Sequence, residues 1–264
     1  MQTEQKFLDD KGRLRQWPSK RTDKTLVLAY LLTKFDFDSV YSEYEVNELL
    51  KVWHTFNDWP LLRRELYEQG FLERNLDGSN YHVKRIQTSL PDLYLTVPNI
   101  KNDPSVSLEW LVGKHGKETL LLMGNTEVNS QPSTLKAEEQ RIRDFVTSTS
   151  QRTWSLYYVS KLVGAIWVDL KSSEYLAHPA IHIMIGDPSM RGKGIGQAAM
   201  EAIIKLLEQE GEHQVVYSRY LVENIGSAKL LEKVGFIKDG IEYTDVDGLR
   251  FQNVKRSLRS LIHV

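Results

Sequence analysis

The residues best suited to chemistry form a glycine-rich turn, Arg191-Gly-Lys-Gly-Ile-Gly196, in the second half of the chain. The turn follows the isoleucine-rich run Ile181–Ile185, which predicts a buried strand, and the segment Gly186–Pro188, which ends that strand. The segment Gln197–Leu207 repeats apolar residues at helical spacing, so the turn opens directly into a helix. Its glycines let a ligand approach unpaired N–H groups at the helix start, and two basic side chains add charge. Such a site favours an anion, and a pyrophosphate fits best.

A second motif begins at Asn224 and ends at the pair Gly235-Phe236, with Ser227 in the first turn of an expected helix. The strand-like segment Gln214–Tyr220 lies between this motif and the glycine-rich turn. The chain therefore presents a strand, a glycine turn, a helix, a second strand and a second helix in that order.

Two common phosphate-binding motifs do not fit the turn. A Walker loop needs serine or threonine after its Gly-Lys pair, and here Gly194 follows Lys193. A dinucleotide fingerprint needs three spaced glycines and, further along the chain, an acidic residue at the end of a second strand. The order Arg-x-x-Gly-x-Gly followed by the second motif instead resembles GNAT family N-acetyltransferases, over residues 91–264. In that family the turn binds the pyrophosphate of acetyl-CoA, and the next helix runs along the other side of the CoA arm.

The resemblance implies an α/β (α+β) fold, with a mixed, mostly antiparallel sheet flanked by helices, and acetyl-CoA as co-substrate. In the family, the backbone of the motif strand pairs with the pantetheine arm and can polarise the thioester carbonyl. Asn224 would hydrogen-bond the CoA arm; it also suits an ordinary N-cap, and of the two roles we favour the contact. The residues implied at the cofactor are Ile183, Met184, Ile185, Arg191, Gly192, Lys193, Gly194, Ile195, Gly196, Asn224 and Ser227.

Ser227 and His182 are the candidate catalytic residues. Many relatives carry a tyrosine near Leu231 that protonates the departing thiolate, and this chain has leucine there. Ser227 stands where the ribosomal-protein-acetylating branch of the family has a serine given that role; its alternative role is a local helix cap. A strand carboxylate often serves as the base, but Ala180 and His182 occupy those positions. A histidine can accept a proton near neutral pH, although a lone strand histidine is more often only a satisfied side chain.

Length and composition limit the class of protein. The chain has 264 residues, of which 41% are hydrophobic, and a formal net charge of −1. It contains no cysteine, which excludes disulfides, thiolate nucleophiles and cysteine zinc sites. His178 and His182 are expected to share a strand face, but without an acidic partner they make a weak metal site, so no metal is expected. No apolar run is long enough to span a membrane and no signal-peptide core is visible, so a cytoplasmic protein is expected.

Residues 1–90 predict a separate domain before the domain of residues 91–264. Helices are expected from near Asp23, after a capping box formed by Ser42 and Glu45, and from about Asn57. The pair Asp77-Gly78 then predicts a hairpin. Three helices followed by a hairpin is the element order of a winged helix-turn-helix, so a small, mainly helical, winged-helix-like domain is expected.

Three strings in this domain resemble a small domain of unknown function that recurs in bacterial regulators. They are Trp17–Arg21, Tyr41–Asn47 and Leu62–Leu66, and the resemblance covers roughly residues 10 to 85. A bacterial protein is therefore expected.

The partner of this N-terminal domain is nucleic acid or protein. In a DNA-binding domain, Arg63 and Arg64 of the third helix would contact phosphates. However, residues 1–90 contain 14 Lys+Arg against 14 Asp+Glu, and a neutral module binds phosphates poorly. Protein contact or self-association is therefore expected in preference to nucleic acid.

The remaining elements of the second domain surround the two motifs. A hairpin is expected, with strands Thr153–Val159 and Leu162–Asp169 and a turn at Ser160-Lys161. Two closing strands are expected at Phe236–Tyr243 and Leu249–Lys255. A helix is expected over Ser133–Phe145, and Glu118–Met123 is either strand or helix.

The sequence thus predicts an N-acetyltransferase (an acyltransferase transferring groups other than aminoacyl groups) that moves the acetyl group of acetyl-CoA to a primary amine in a ternary complex. A protein N-terminus, a lysine and a small amine remain open as acceptors. The alternative is an acyl-CoA-sensing regulatory protein with a winged-helix module and little or no turnover, because the usual tyrosine and strand carboxylate are missing.

Overall fold

The computed structural model describes residues 4–126 and 133–259, which form two compact units. Unit 1 comprises residues 4–85, 96–104 and 135–148, and unit 2 comprises the other described residues. The helices are α1 (Arg21–Leu32), α2 (Glu43–Val52), α3 (Trp59–Glu68), α4 (Asp103–Val112), α5 (Gly116–Leu122), α6 (Leu135–Thr147), α7 (Ile195–Glu210) and α8 (Ile225–Lys233). The strands are β1 (Tyr41–Ser42), β2 (Leu72–Arg74), β3 (Asn80–Val83), β4 (Ile86–Gln87), β5 (Leu93–Thr96), β6 (Gln151–Tyr158), β7 (Lys161–Asp169), β8 (Ala180–Ile185), β9 (Val215–Leu221), β10 (Ile237–Lys238), β11 (Tyr243–Thr244) and β12 (Arg250–Ser257). No helix in these ranges is both long and apolar enough to cross a membrane.

Unit 1 contains the expected helices and hairpin. The Ser42 hydroxyl accepts a hydrogen bond from the Glu45 N–H, and the Glu45 carboxylate accepts one from the Ser42 N–H at 2.7 Å, so the capping box of α2 is present. Gly78, with φ of +73°, lies in the turn between β2 and β3. These strands and β1 form a small antiparallel sheet in the order β1–β3–β2. The winged-helix assignment stays a prediction.

Unit 1 is not continuous in sequence. Ile100 and Ile142 are buried in the same apolar cluster as the side chains of α1, α2 and α3. Arg143 of α6 donates two hydrogen bonds to the Glu4 carboxylate, at 2.9 and 3.0 Å, where both side chains are largely buried. The domain boundary at residue 90 stays a prediction, but residues 96–104 and 135–148 complete the core of the first unit.

Unit 2 is built on a mixed sheet in the order β10–β12–β9–β8–β7–β6–β5–β4, with β11 also paired to β12. The strand pairs with a defined register are antiparallel except β8 with β9. One face of this sheet, including Ile166, Ile181 and Val216, shares a buried cluster with Ile195 and Ile203 of α7. The expected mixed, mostly antiparallel sheet flanked by helices is therefore confirmed.

The pairing of β8 is strongly asymmetric. Against β7 it is in register over six residue pairs, from Asp169–Ala180 to Gly164–Ile185. Against β9 a single parallel pair, Ala180 with Tyr217, is formed. Beyond this pair the two strands separate, and a gap opens in the middle of the sheet.

Several local expectations were wrong. The β6–β7 hairpin turns at Val159–Ser160, one residue earlier than expected, and both residues have positive φ (49° and 56°), as a type I′ turn requires. Gly240 lies between β10 and β11, so the first closing strand is two short pieces. His178 precedes β8 in a cis peptide with Pro179 and does not share a strand face with His182. The undecided segment Glu118–Met123 is mostly helix α5.

Candidate active site

A cavity of about 660 Å³ lies in unit 2 where β8 and β9 separate. Its walls come from β7, β8 and β9, from helices α5, α7 and α8, from the turn before α7, and from Phe251 of β12. The cavity brings together every residue singled out for cofactor binding or catalysis except Lys193 and Ile195. Its volume is that of a small-molecule site.

The backbone of β8 supplies polar groups to this cavity. The Gly186 N–H donates to the Val163 carbonyl at 2.9 Å, and an antiparallel ladder alternates, so the backbone groups of Ile183 and Ile185 point away from β7 into the gap. Met184 pairs with Ala165 of β7, so only its side chain faces the cavity. Of the three strand residues expected at the cofactor, two are therefore placed to use their backbone.

The glycine turn leaves the start of α7 open. Gly192 and Gly194 have φ of +76° and +81°, and a Cβ atom on either would meet nothing within 4 Å. No side chain caps α7, whereas Ser42 caps α2 and Asn224 caps α8. The first N–H groups of α7 are therefore free of side-chain partners and carry the partial positive charge of the helix.

The other members of the turn have structural roles. Ile195 is 1% exposed in the core of unit 2, so only its backbone can serve a ligand. A Cβ on Gly196 would lie 3.1 Å from the Leu230 side chain, so this glycine allows α7 and α8 to pack closely. Lys193 is exposed and forms no ion pair with a described residue, which leaves its charge available to a ligand.

Arg191 is held within the protein. Its guanidinium donates to the Ile185 carbonyl at 3.2 Å and to the Thr119 hydroxyl at 3.0 Å, and it lies 3.3 Å from the Glu118 carboxylate. This arginine therefore braces the end of β8 against α5, and its charge is largely matched by Glu118.

The start of α8 faces the cavity from the other side. The Asn224 side-chain oxygen accepts a hydrogen bond from the Ser227 N–H at 3.0 Å, so asparagine is the N-cap of this helix. The Ser227 hydroxyl makes no hydrogen bond to a residue in the described ranges, and the serine is half-buried in the cavity wall. Leu231, which replaces the usual tyrosine, is 3% exposed.

His182 is not a lone strand histidine. Its Nε2 lies 3.1 Å from the Asp169 carboxylate of β7, and its ring stacks on Trp167 with 5.4 Å between centroids. Nε2 nevertheless makes no aligned hydrogen bond to a described residue. Asp169 is the acidic partner that the sequence analysis did not find, because it lies on the neighbouring strand, 13 residues earlier in the chain.

Sequence reasoning also missed other wall residues, among them three near α5 and one on β9. Thr119, Leu122 and Met123 belong to the short α5 region, which carried no decisive pattern, and Arg219 lies on β9. Within the part of the chain that the structure describes, no group of three or more His, Cys, Asp and Glu residues is placed to hold a metal ion.

Comparison with protein families gives two matches. Residues 108–237 match the family described as Acetyltransferase (GNAT) domain. Residues 13–83 match the family described as an uncharacterized protein conserved in bacteria (DUF2087). Comparison with curated proteins gives no match.

Solved structures with a similar fold include three acetyltransferases with different acceptors. One is the ribosomal L7/L12 alpha-N-protein acetyltransferase with coenzyme A (14% identity, 67% of this chain, 99% of that chain, TM-score 0.56). The second is an aminoglycoside acetyltransferase with coenzyme A (20% identity, 62% of this chain, 94% of that chain, TM-score 0.51). The third is the spermidine N-acetyltransferase from Vibrio cholerae with CoA and spermine (14% identity, 64% of this chain, 97% of that chain, TM-score 0.51). At these identities the likeness concerns the fold.

Proposed function

Residues 108–237 of this chain are a GNAT acetyltransferase domain, and from that premise we propose that the chain transfers the acetyl group of acetyl-CoA to a primary amine. The main support for the proposal is that two features line one cavity. They are the uncapped start of α7 and the backbone of β8 that the gap exposes. The first suits a pyrophosphate and the second suits an amide-containing arm with a thioester.

The residues present fit acetyl-CoA in detail. The open space over Gly192 and Gly194 accommodates phosphate oxygens, and Lys193 adds an uncompensated positive charge beside them. Ile183 and Ile185 direct backbone groups to where the arm would run, so their N–H groups can bond its carbonyls. Asn224 keeps its amide group for the arm while its oxygen caps α8, so both roles expected of it are compatible.

Acetyl transfer needs the amine nitrogen to attack the thioester carbon, forming a C–N bond and breaking the C–S bond. We assign His182 as the group that accepts the amine proton, with the Asp169 carboxylate beside its ring. Ser227 donates a proton to the departing thiolate and regains one from solvent. The buried Leu231 offers no proton donor, and the Ser227 hydroxyl faces the same cavity.

The cofactor site is tested by Gly194→Asp, which places a carboxylate where the pyrophosphate would bind. We expect acetyl-CoA affinity to fall at least ~10-fold, measured by calorimetry. Gly211→Asp is the matched control, because Gly211 also has positive φ (+68°), also has open space around it, and lies at the other end of α7. Both variants carry the same backbone strain of about 1 kcal/mol. Equal affinities in the two folded variants would refute the anion site.

The base is tested by the pH–rate profile of His182→Gln. In this variant kcat should fall ~10²–10⁴-fold. The acidic limb of the profile, where the rate falls as the pH is lowered, should also disappear, because the variant lacks the base whose protonation stops the reaction. Asp169→Asn should lower kcat by less than His182→Gln does, because it removes only the carboxylate beside the ring. An acidic limb unchanged in His182→Gln would show that another group, or the amine itself, titrates there.

The proton donor is tested by Ser227→Ala. We expect kcat to fall ~10²–10⁴-fold with little change in KM for acetyl-CoA, because the hydroxyl acts only as the thiolate leaves. Ser227→Cys, which keeps a weaker donor at the same position, should recover part of the loss. A decrease of only a few fold would assign the hydroxyl to cofactor contact instead.

For the N-terminal unit we propose protein contact rather than nucleic-acid binding. Arg63 forms a hydrogen bond with Asn47 at 2.7 Å and an ion pair with Glu43, so its charge is used within the unit. Arg64 is mostly exposed and lies 4.0 Å from Glu68. A helix whose two arginines both lie beside a glutamate is a poor phosphate-binding surface.

This proposal is tested with the full-length chain, because the unit needs residues 96–104 and 135–148. Fluorescence anisotropy with duplex DNA should show no binding that weakens with salt at physiological ionic strength. Arg64→Glu should then change nothing. Salt-dependent binding that Arg64→Glu abolishes would establish a nucleic-acid role.

A further inference from the structure

A second positive charge lines the cavity, at the opposite side of the gap from His182. Arg219 lies on β9, two residues after Tyr217, and His182 lies on β8, two residues after Ala180. Since Ala180 and Tyr217 are in register, the two residues are at the same level on parallel strands that have begun to separate. Both side chains line the cavity.

Arg219 and His182 also share a face of the sheet. Val216 of β9 and Ile181 of β8 belong to the core cluster that packs with α7. Side chains alternate along a strand, so Arg219 and His182 project from the other face. The proton acceptor proposed for the reaction and this guanidinium therefore flank the same space.

The guanidinium is held in place by aromatic side chains. Its central carbon lies 4.4 Å from the centroid of the buried Phe251 ring, and Nη1 donates to the Tyr243 hydroxyl at 3.1 Å. The Tyr243 ring in turn stacks on Tyr175 at 5.3 Å and on Phe251 at 6.0 Å. This stack fixes the fork of the arginine at low conformational cost, leaving further N–H donors.

The charge of Arg219 is not matched by a carboxylate. Across residues 4–126 and 133–259, no Asp or Glu forms an ion pair with it. In contrast, the neighbouring Arg250 of β12 is paired with Glu242 at 2.7 Å and with Glu223 at 3.6 Å. A half-buried, oriented and uncompensated guanidinium in a cavity wall is suited to an anionic ligand.

We propose that Arg219 binds a carboxylate of the acceptor, so that the substrate is a primary amine with a carboxylate a few bonds away. The inference rests on the proposed acetyl transfer. The phosphates expected of acetyl-CoA belong at the glycine turn, and its arm is uncharged, so the cofactor does not use this charge. A polycationic acceptor is disfavoured, since its second ammonium would meet the guanidinium. The carboxylate belongs either to a free amino acid or to an acidic side chain near a peptide N-terminus.

The experiment compares acceptors that differ only in this carboxylate. One pair is alanine and alaninamide; the other is a tetrapeptide with glutamate at its second position and the same peptide with glutamine. The wild-type kcat/KM should be roughly 10- to 100-fold higher for the carboxylate member of one pair, and which pair responds identifies the source of the carboxylate. No preference in either pair would overturn the inference.

Variants then assign any preference to Arg219. Arg219→Gln should remove this preference by lowering kcat/KM for the carboxylate member far more than for the neutral member, with acetyl-CoA still bound. Arg219→Lys should restore part of the preference. Arg250→Gln is the control and should keep the preference, because this arginine lies outside the cavity. A preference that survives in Arg219→Gln, or an equal loss for both members, would overturn the inference.

A milder variant covers the case in which Arg219→Gln fails to fold. Tyr243→Phe removes only the hydrogen bond to the guanidinium and should reduce the preference several-fold. An unreduced preference would count against the inference. Acetyl-CoA that binds but acetylates none of the four amines would refute the proposed function, whereas acetylation without a carboxylate preference refutes only the role of Arg219.

Discussion

Buried backbone polar groups must find partners, and this constraint governs the region where β8 leaves β9. The protein satisfies part of the exposed edge itself. The Ser218 hydroxyl donates to the Ile181 carbonyl at 2.8 Å, and Arg191 donates to the Ile185 carbonyl. The backbone of Ile183 lies between these two points, facing the cavity. The backbone groups of Ile183 are therefore open to a ligand with amide groups of its own.

At the glycine turn, the positive charge comes from the start of α7 together with one lysine. Of the two cations in the glycine turn, Arg191 is matched by Glu118 and holds β8 to α5, and only Lys193 is free of an acidic partner in the described chain. The uncapped start of α7 adds oriented N–H groups that need no reorganisation when an anion arrives. Gly192 and Gly194 suit this turn because their φ angles are positive, and the space above them is open.

The two units are interleaved in sequence, which affects how the protein can be divided. Residues 96–104 and 135–148 follow residue 91, the predicted start of the second domain, yet Ile100 and Ile142 are buried in the core of unit 1. The ion pair of Arg143 with Glu4 joins residues 139 positions apart. Cutting the chain at residue 90 would expose this core, so the two units are best studied by substitution and not by truncation.

The sequence by itself determined the parts of the site whose role is local. Glycine spacing, the apolar run and the asparagine before α8 act within a few residues, so the turn, β8, α7 and the cap of α8 were all predictable. Contacts across strands were not. Asp169 reaches His182 through the register of β7 with β8, and Arg219 stands level with His182 through one residue pair between β8 and β9. Register depends on how the whole sheet buries its apolar face, which no local pattern encodes, so the tertiary structure alone decided which charges face the cavity.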